Sequence, residues 1–261
     1  MIEILGIGKH EQERGMEDQL ILTIDVGSSS VRASLYDRIG NYVSGTEVQL
    51  LYSFKATSDG GAEMDADELL GLVAHAIDGT LSLARDKADR IAAVATSTFW
   101  HSVLGVDQEG RPTTPILTWA DRRAADDAAD LRGKLDEAAI HRRTGCVLHS
   151  SYLPAKLLWL SHNSPEAYSR TEHWISPGEY LHRRLFGQAW IGTSMASATG
   201  LFDQNLVIAH DRWNAYYQCG VSRDLGGFRD HGADVDHFAG GVQDVQVVGP
   251  VVREQRRNQG V

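Results

Sequence analysis

Cysteine is nearly absent: the 261-residue chain holds two, Cys146 and Cys219, far apart and with no paired spacing. That leaves no disulfide framework and no cysteine-based zinc motif, and it points to a reducing, cytoplasmic setting. Proline is limited to six residues and no segment is of low complexity, so wholesale disorder is not expected. Basic residues are in deficit, 25 against 35 acidic ones, for a formal net charge of −10. A nucleic-acid binder would carry a basic face, so nucleic acid is not an expected partner. The same deficit does not exclude ATP, because one Mg²⁺ or a ring of N–H groups can override the global sign locally. No apolar run reaches membrane-spanning length, and residues 1–17 lack the apolar core of a secretion signal. No membrane partner is therefore expected. What is present is 42% hydrophobic residues, enough for one large packed domain or two small ones.

Strands and helices are interspersed along the chain, which favours an α/β fold. Residues 20–26, 31–36 and about 42–50 read as three strands, a β-meander. Asp65 is placed to cap a helix, with Glu68 completing a capping-box pattern. Leu69, Leu72, Val73, Ala76, Ile77 and Leu81 then recur at helical spacing. Residues 91–96 form an unbroken apolar run, expected to be an interior strand covered on both sides. Two further strands are predicted at 102–106 and 115–119, and helices over 121–135, 152–160 and 177–186. Gly145 and Gly187 read as helix stops. Residues 190–193 read as another strand.

The segment Asp25-Val26-Gly27-Ser28-Ser29-Ser30 lies between the first two strands. Backbone N–H groups in a turn of glycine and small hydroxyl residues can converge on phosphate oxygens, and an adjacent carboxylate can hold Mg²⁺ directly or through water. The same composition also serves a plain tight hairpin, with Asp25 forming an Asx-type turn. Two other segments carry chemistry. Thr98-Phe99-Trp100-His101-Ser102 offers an imidazole beside an indole. Leu117-Thr118-Trp119-Ala120-Asp121-Arg122-Arg123 offers an indole, a carboxylate and a guanidinium fork. Such groups can meet a polar ligand: an indole covers C–H groups, a carboxylate accepts from two hydroxyls, and an arginine fork grips a carboxylate. Their alternative roles are core packing for Trp100 and Trp119 and helix capping for Asp121 and Arg122. Lys156 reads as a solvated or salt-bridged helix residue, and the histidines show no metal spacing.

Taken with residues 144–160 and Ser194-Met195-Ala196-Ser197-Ala198-Thr199-Gly200-Leu201-Phe202-Asp203, these segments resemble the N-terminal half of an FGGY-type carbohydrate kinase. The resemblance is to the gluconate kinase and xylulose kinase branch, within the sugar kinase/Hsp70/actin superfamily. It implies a ribonuclease H-like (actin-like ATPase) domain, a mixed sheet opened by a β-meander and flanked by helices. It implies ATP and Mg²⁺ as cofactors, with Asp25 as the metal-linked carboxylate and Asp25, Gly27, Ser28, Ser29 and Ser30 at the nucleotide. It implies that Trp100, His101, Trp119, Asp121 and Arg122 line a sugar or sugar-acid pocket, gluconate first and xylulose second.

The expected organisation is an extension over 1–17, the kinase N-terminal domain over 18–227, and a divergent tail over 228–261. The family's proton-accepting Asp belongs to a Gly-Asp motif opening a second domain. The tail's Asp224, Asp230, Asp234, Asp236 and Asp244 lack that context, so no catalytic base is assigned. Because these kinases close a cleft around ATP and sugar, the chain is expected to be incomplete as a catalyst alone. A non-catalytic sugar-binding or regulatory fragment is the alternative, and an exposed interdomain face would favour self-association.

Overall fold

The computed structural model describes residues 19–189 and 191–204. Two compact units are present, one built from residues up to Ser53 with Leu69–Thr98, the other from Phe54–Glu68 with residues from Phe99 onward. Residues 1–17, Cys219 and the tail aspartates lie outside the described residues.

In the first unit β1 (Leu20–Val26) and β2 (Ser30–Asp37) form a hairpin, and β2 pairs antiparallel with β3 (Val48–Leu51). Alternate residues of β1 (Leu20, Leu22, Ile24 and Val26) are buried, as are Val31, Ala33 and Leu35 of β2. This period of two aims one face of the meander at a core. The third strand is shorter than the 42–50 expected. Gly45 turns the chain at φ 77°, and the Thr46 hydroxyl accepts from the Leu35 N–H at 3.1 Å, taking a place a strand carbonyl would fill.

In the second unit β4 (Lys55–Ala56) and β5 (Ala62–Met64) begin a small antiparallel sheet. Helix α1 (Ala66–Ala84) follows, with Asp65 Oδ1 accepting from the Glu68 N–H at 2.9 Å as its cap. From Leu69 onward α1 belongs to the first unit: Leu69, Val73 and Ala76 are fully buried, and the Thr80 hydroxyl donates to the Ala33 carbonyl at 3.0 Å within that unit. Residues Arg85–Arg90 form a 3-10 turn into β6 (Ile91–Thr98), which runs parallel to β1. The strand order is β3-β2-β1-β6, a mixed sheet. Among the described residues β6 is therefore at the end of the order, and of its residues only Val94 is buried. Where an interior strand covered on both sides was expected, β6 is mostly half-buried and lies at the end of the described order.

The remaining elements belong to the second unit. They are β7 (Leu104–Val106), β8 (Ile116–Leu117), α2 (Ala125–Lys134), α3 (Glu137–Thr144), α4 (Leu153–Asn163) and α5 (Pro165–Arg170). After these come β9 (His173–Ile175), α6 (Pro177–Phe186) and α7 (Thr193–Ser197). β8 joins β5, while β7 pairs with β9, a partner far away in sequence. The core gathers Val103, Leu117, Leu153, Leu157 and Leu160, with Trp159, Tyr168 and Trp174 packed against it. Ala124, Ala128 and Ala155 bring α2 and α4 close together. The strand expected at 190–193 is not formed: Ile191 and Gly192 lie outside any strand and Thr193 opens α7, while Trp190 lies outside the described residues. The helix expected from residue 121 begins at Ala125, because two turns precede it, closed by the Asp121 N–H on the Thr118 carbonyl and the Ala125 N–H on the Arg122 carbonyl.

Candidate functional site

The β1–β2 turn is held by its carbonyls. The Gly27 N–H donates to the Ser30 carbonyl at 2.9 Å, the Tyr52 N–H donates to the Ser29 carbonyl at 3.0 Å, and the Tyr52 hydroxyl donates to the Gly27 carbonyl. Burial pushes the Tyr52 hydroxyl up to about 12, which keeps it a donor. Gln49 Nε2 donates to Ser30 Oγ at 3.0 Å. The N–H groups of Ser28 and Ser29 have no backbone partner among the described residues, and both side chains are exposed. A Cβ on Gly27 would meet only the Ser30 carbonyl oxygen, at 3.6 Å, so the protein itself leaves open space there. Asp25 is exposed, one residue before Val26 at the end of β1, opposite Arg32 in the ladder.

This donor set fits a phosphate tail with one Mg²⁺. Mg²⁺ is characteristically held by one or two carboxylates, with phosphate oxygens and waters completing its shell. Among the described residues no group of three or more His, Cys, Asp or Glu side chains could hold a metal without such help.

A different kind of surface occupies the second unit. Past β6 the chain turns at His101, a non-glycine residue at φ 55°. Its Nδ1 meets the Ala198 carbonyl at 2.9 Å. A carbonyl only accepts, so Nδ1 carries a proton, and in the neutral tautomer this leaves Nε2 as an acceptor. The imidazole is edge-on to Tyr152 at 4.8 Å and to Trp100 at 5.9 Å between ring centroids. Trp100 and Trp119 are 45% and 47% exposed, so neither is a core residue. Ser102 links them: its hydroxyl accepts from the Trp119 N–H and donates to the Trp100 carbonyl, both at 3.1 Å. Ser151 Oγ donates to the Trp119 carbonyl at 2.9 Å.

Asp121 lies inward, 2% exposed. Its Oδ2 accepts from Arg123 Nη2 at 2.6 Å and from the Ala62 N–H at 3.3 Å, and its Oδ1 accepts from the Arg123 N–H at 3.1 Å. The guanidinium fork on Asp121 thus comes from Arg123, which also pairs with Glu63 at 2.7 Å and lies over the Trp159 ring at 4.4 Å. Burial works against the Arg123 charge, but Asp121 and Glu63 outweigh it and raise its pKa. Arg122 is exposed, its backbone N–H bonded to the Gly60 carbonyl at 3.0 Å and its guanidinium without an ion pair among the described residues.

Lys156 is the residue that sequence reasoning misplaced. It is neither solvated nor salt-bridged but 1% exposed, its Nζ donating to backbone carbonyls. Burial pushes its pKa down to about 7, with the Asp121 carboxylate pulling it up and Arg123 pushing it further down. The signal was available: Lys156 falls at helical spacing between Leu153 and Leu160, on the face that α4 buries.

A mixed sheet opened by a meander, a glycine-serine turn after its first strand and an aromatic polar face in a second unit define an actin-like α/β domain of the sugar-kinase type. Residues 20–215 match the FGGY family of carbohydrate kinases, N-terminal domain, and the chain belongs to that family. It is similar to a gluconokinase of Bacillus subtilis (strain 168), 29% identical over 183 residues, covering 70% of this chain and 35% of that protein. A xylulose kinase of Lactococcus lactis subsp. lactis is 26% identical, over 70% of this chain and 36% of its own length. Among solved structures, the gluconate kinase of Lactobacillus acidophilus superposes with a TM-score of 0.65 at 31% identity, over 71% of this chain and 37% of that one. The chain thus spans about a third of the length of the relatives it matches.

Proposed function

We propose that this chain is the sugar-binding part of an ATP-dependent carbohydrate kinase, with its kinase domain at residues 18–227. The observation that carries the reading is the pair of half-exposed indoles, Trp100 and Trp119, joined through Ser102 beside the acceptor nitrogen of His101. Leaving two indoles in water forgoes stabilisation that burial would give, and a flat apolar face beside polar groups suits the C–H and O–H surface of a sugar. In this reading Trp100 and Trp119 take the carbon skeleton and His101 Nε2 accepts from one hydroxyl. Asp121 bears on the substrate together with Arg123, with which a sugar hydroxyl would share its carboxylate. Arg122, whose fork makes no ion pair among the described residues, takes an anionic group, which places gluconate ahead of xylulose.

Asp25 is the carboxylate proposed for Mg²⁺, and Gly27, Ser28, Ser29 and Ser30 are proposed for the phosphates of ATP. Bound there, Mg·ATP would supply the phosphoryl group and the metal charge that phosphoryl transfer requires. The turn's own part is to present N–H donors without reorganisation. None of the described residues is assigned as the base for the sugar hydroxyl.

Titration of the purified chain with gluconate and with xylulose, followed by calorimetry and tryptophan fluorescence, tests the sugar reading. Gluconate should bind more tightly, with quenching that Trp119→Ala diminishes. No heat and no quenching with either sugar would sink it. Mg·ATP titrated into the wild-type chain and Asp25→Asn tests the hairpin separately: Mg²⁺-dependent affinity should fall at least about tenfold with an unchanged melting temperature.

A further inference from the structure

Lys156 shares the buried face of α4 with Leu153, Leu157 and Leu160. A leucine or methionine there would pack without the desolvation cost of an ammonium group. The ammonium is instead consumed by the main chain, donating to the carbonyl oxygens of His101 at 2.7 Å, Thr118 at 2.6 Å and Leu117 at 3.3 Å. In its protonated form Lys156 has one proton for each of these three acceptors.

These carbonyls lie in the two segments that carry the aromatic face. His101 follows β6 and holds the left-handed φ of 55°, an arrangement that persists only where its surroundings impose it. Leu117 ends β8, and Thr118 precedes the turn of Trp119 and Asp121, with its N–H donating to the Ala62 carbonyl at 3.0 Å. The segments touch directly through the Val103–Leu117 bridge and the Trp119–Ser102 bond. Among the described residues Lys156 alone reaches the His101 carbonyl from the helix side while also holding Leu117 and Thr118.

We propose that Lys156 is a positioning residue for the sugar face: its three donated bonds lock the His101 turn and the Thr118–Trp119 segment into one relative geometry. It acts through His101 and Trp119 and makes no contact with substrate itself. The proposal rests on the sugar reading above for its functional consequence, and on geometry alone for the locking.

The test compares the wild-type 261-residue chain with Lys156→Met by amide hydrogen exchange and by gluconate calorimetry at about pH 6, where the amine holds all three protons. Loss of bonds to a charged donor should speed exchange about tenfold or more in residues 99–103 and 117–122 together. Exchange in α6 should stay at the wild-type rate, and gluconate affinity should fall about tenfold or more. Lys156→Gln, with two donors on a shorter stem, should fall between the two. Wild-type exchange in either segment, acceleration spread evenly over the second unit, or unchanged gluconate affinity would overturn the role. So would failure of both variants to fold, which would make Lys156 a residue of core stability alone. A wild-type chain that binds no gluconate sinks the sugar reading, while the exchange comparison still decides the locking.

Discussion

At Gly27 an added methyl group would meet a single protein atom, 3.6 Å away, and the residue's φ is not in the left-handed region. Nothing in the fold requires glycine there, so its smallness is free to serve an approaching ligand. Gly27→Ala should therefore change unfolding free energy by no more than about 0.5–1 kcal/mol in urea titration, while weakening Mg·ATP binding severalfold. Asp121 is the opposite case. Its carboxylate is buried against Arg123, and Arg123→Met would leave that charge without its partner. Breaking a buried pair from one side costs about 3–5 kcal/mol, so this variant should unfold at clearly lower denaturant than Arg122→Met, whose guanidinium is exposed. Equal midpoints for the two variants would show that the fork on Asp121 is not the structural one. The sequence shows both arginines side by side; which one turns inward depends on Glu63 and Trp159, brought there by β5 and α4.

Elements whose ends are set by nearby residues are legible in the amino-acid sequence. Asp65 caps α1 as its position indicates, and Gly145 and Gly187 end α3 and α6 at φ 71° and 77°. The same pattern, Ser176 followed by Glu179, makes a reciprocal capping box at α6: Glu179 N–H donates to Ser176 Oγ at 3.2 Å and Ser176 N–H to Glu179 Oε2 at 2.7 Å. Ser176→Ala should cost about 0.5–2 kcal/mol and fray the start of α6, seen as faster amide exchange over residues 177–180. Strand partners are less legible. The pairing of β7 with β9 joins residues separated by α2, α3, α4 and α5, and short apolar runs carry no mark of which other run they will meet.

Over the whole molecule, buried titratable groups tie stability to pH. Lys156 has its pKa lowered from 10.5 to about 7 by burial, so between those values the unfolded chain binds the extra proton. Stability from this group therefore rises as pH climbs through that window. Thermal melts of the wild type and Lys156→Met from about pH 7 to 9.5 should diverge, the wild type gaining relative to the variant; parallel curves would contradict the burial of the amine. Among the described residues no helix is long and apolar enough to cross a membrane, and Leu69, Val73 and Ala76 of α1 and Leu153, Leu157 and Leu160 of α4 are buried.

Residue order alone is enough for the family, the α/β class, the glycine-serine turn after β1 and the capped helix ends at Asp65, Gly145 and Gly187, because each depends on residues adjacent or a helical turn apart. It takes the folded chain to show that β6 ends the described sheet, that Asp121 turns toward Arg123, and that Lys156 spends its protons on three carbonyls. Those outcomes depend on groups that meet across space, where burial removes water as the competing partner and leaves the main chain to take its place.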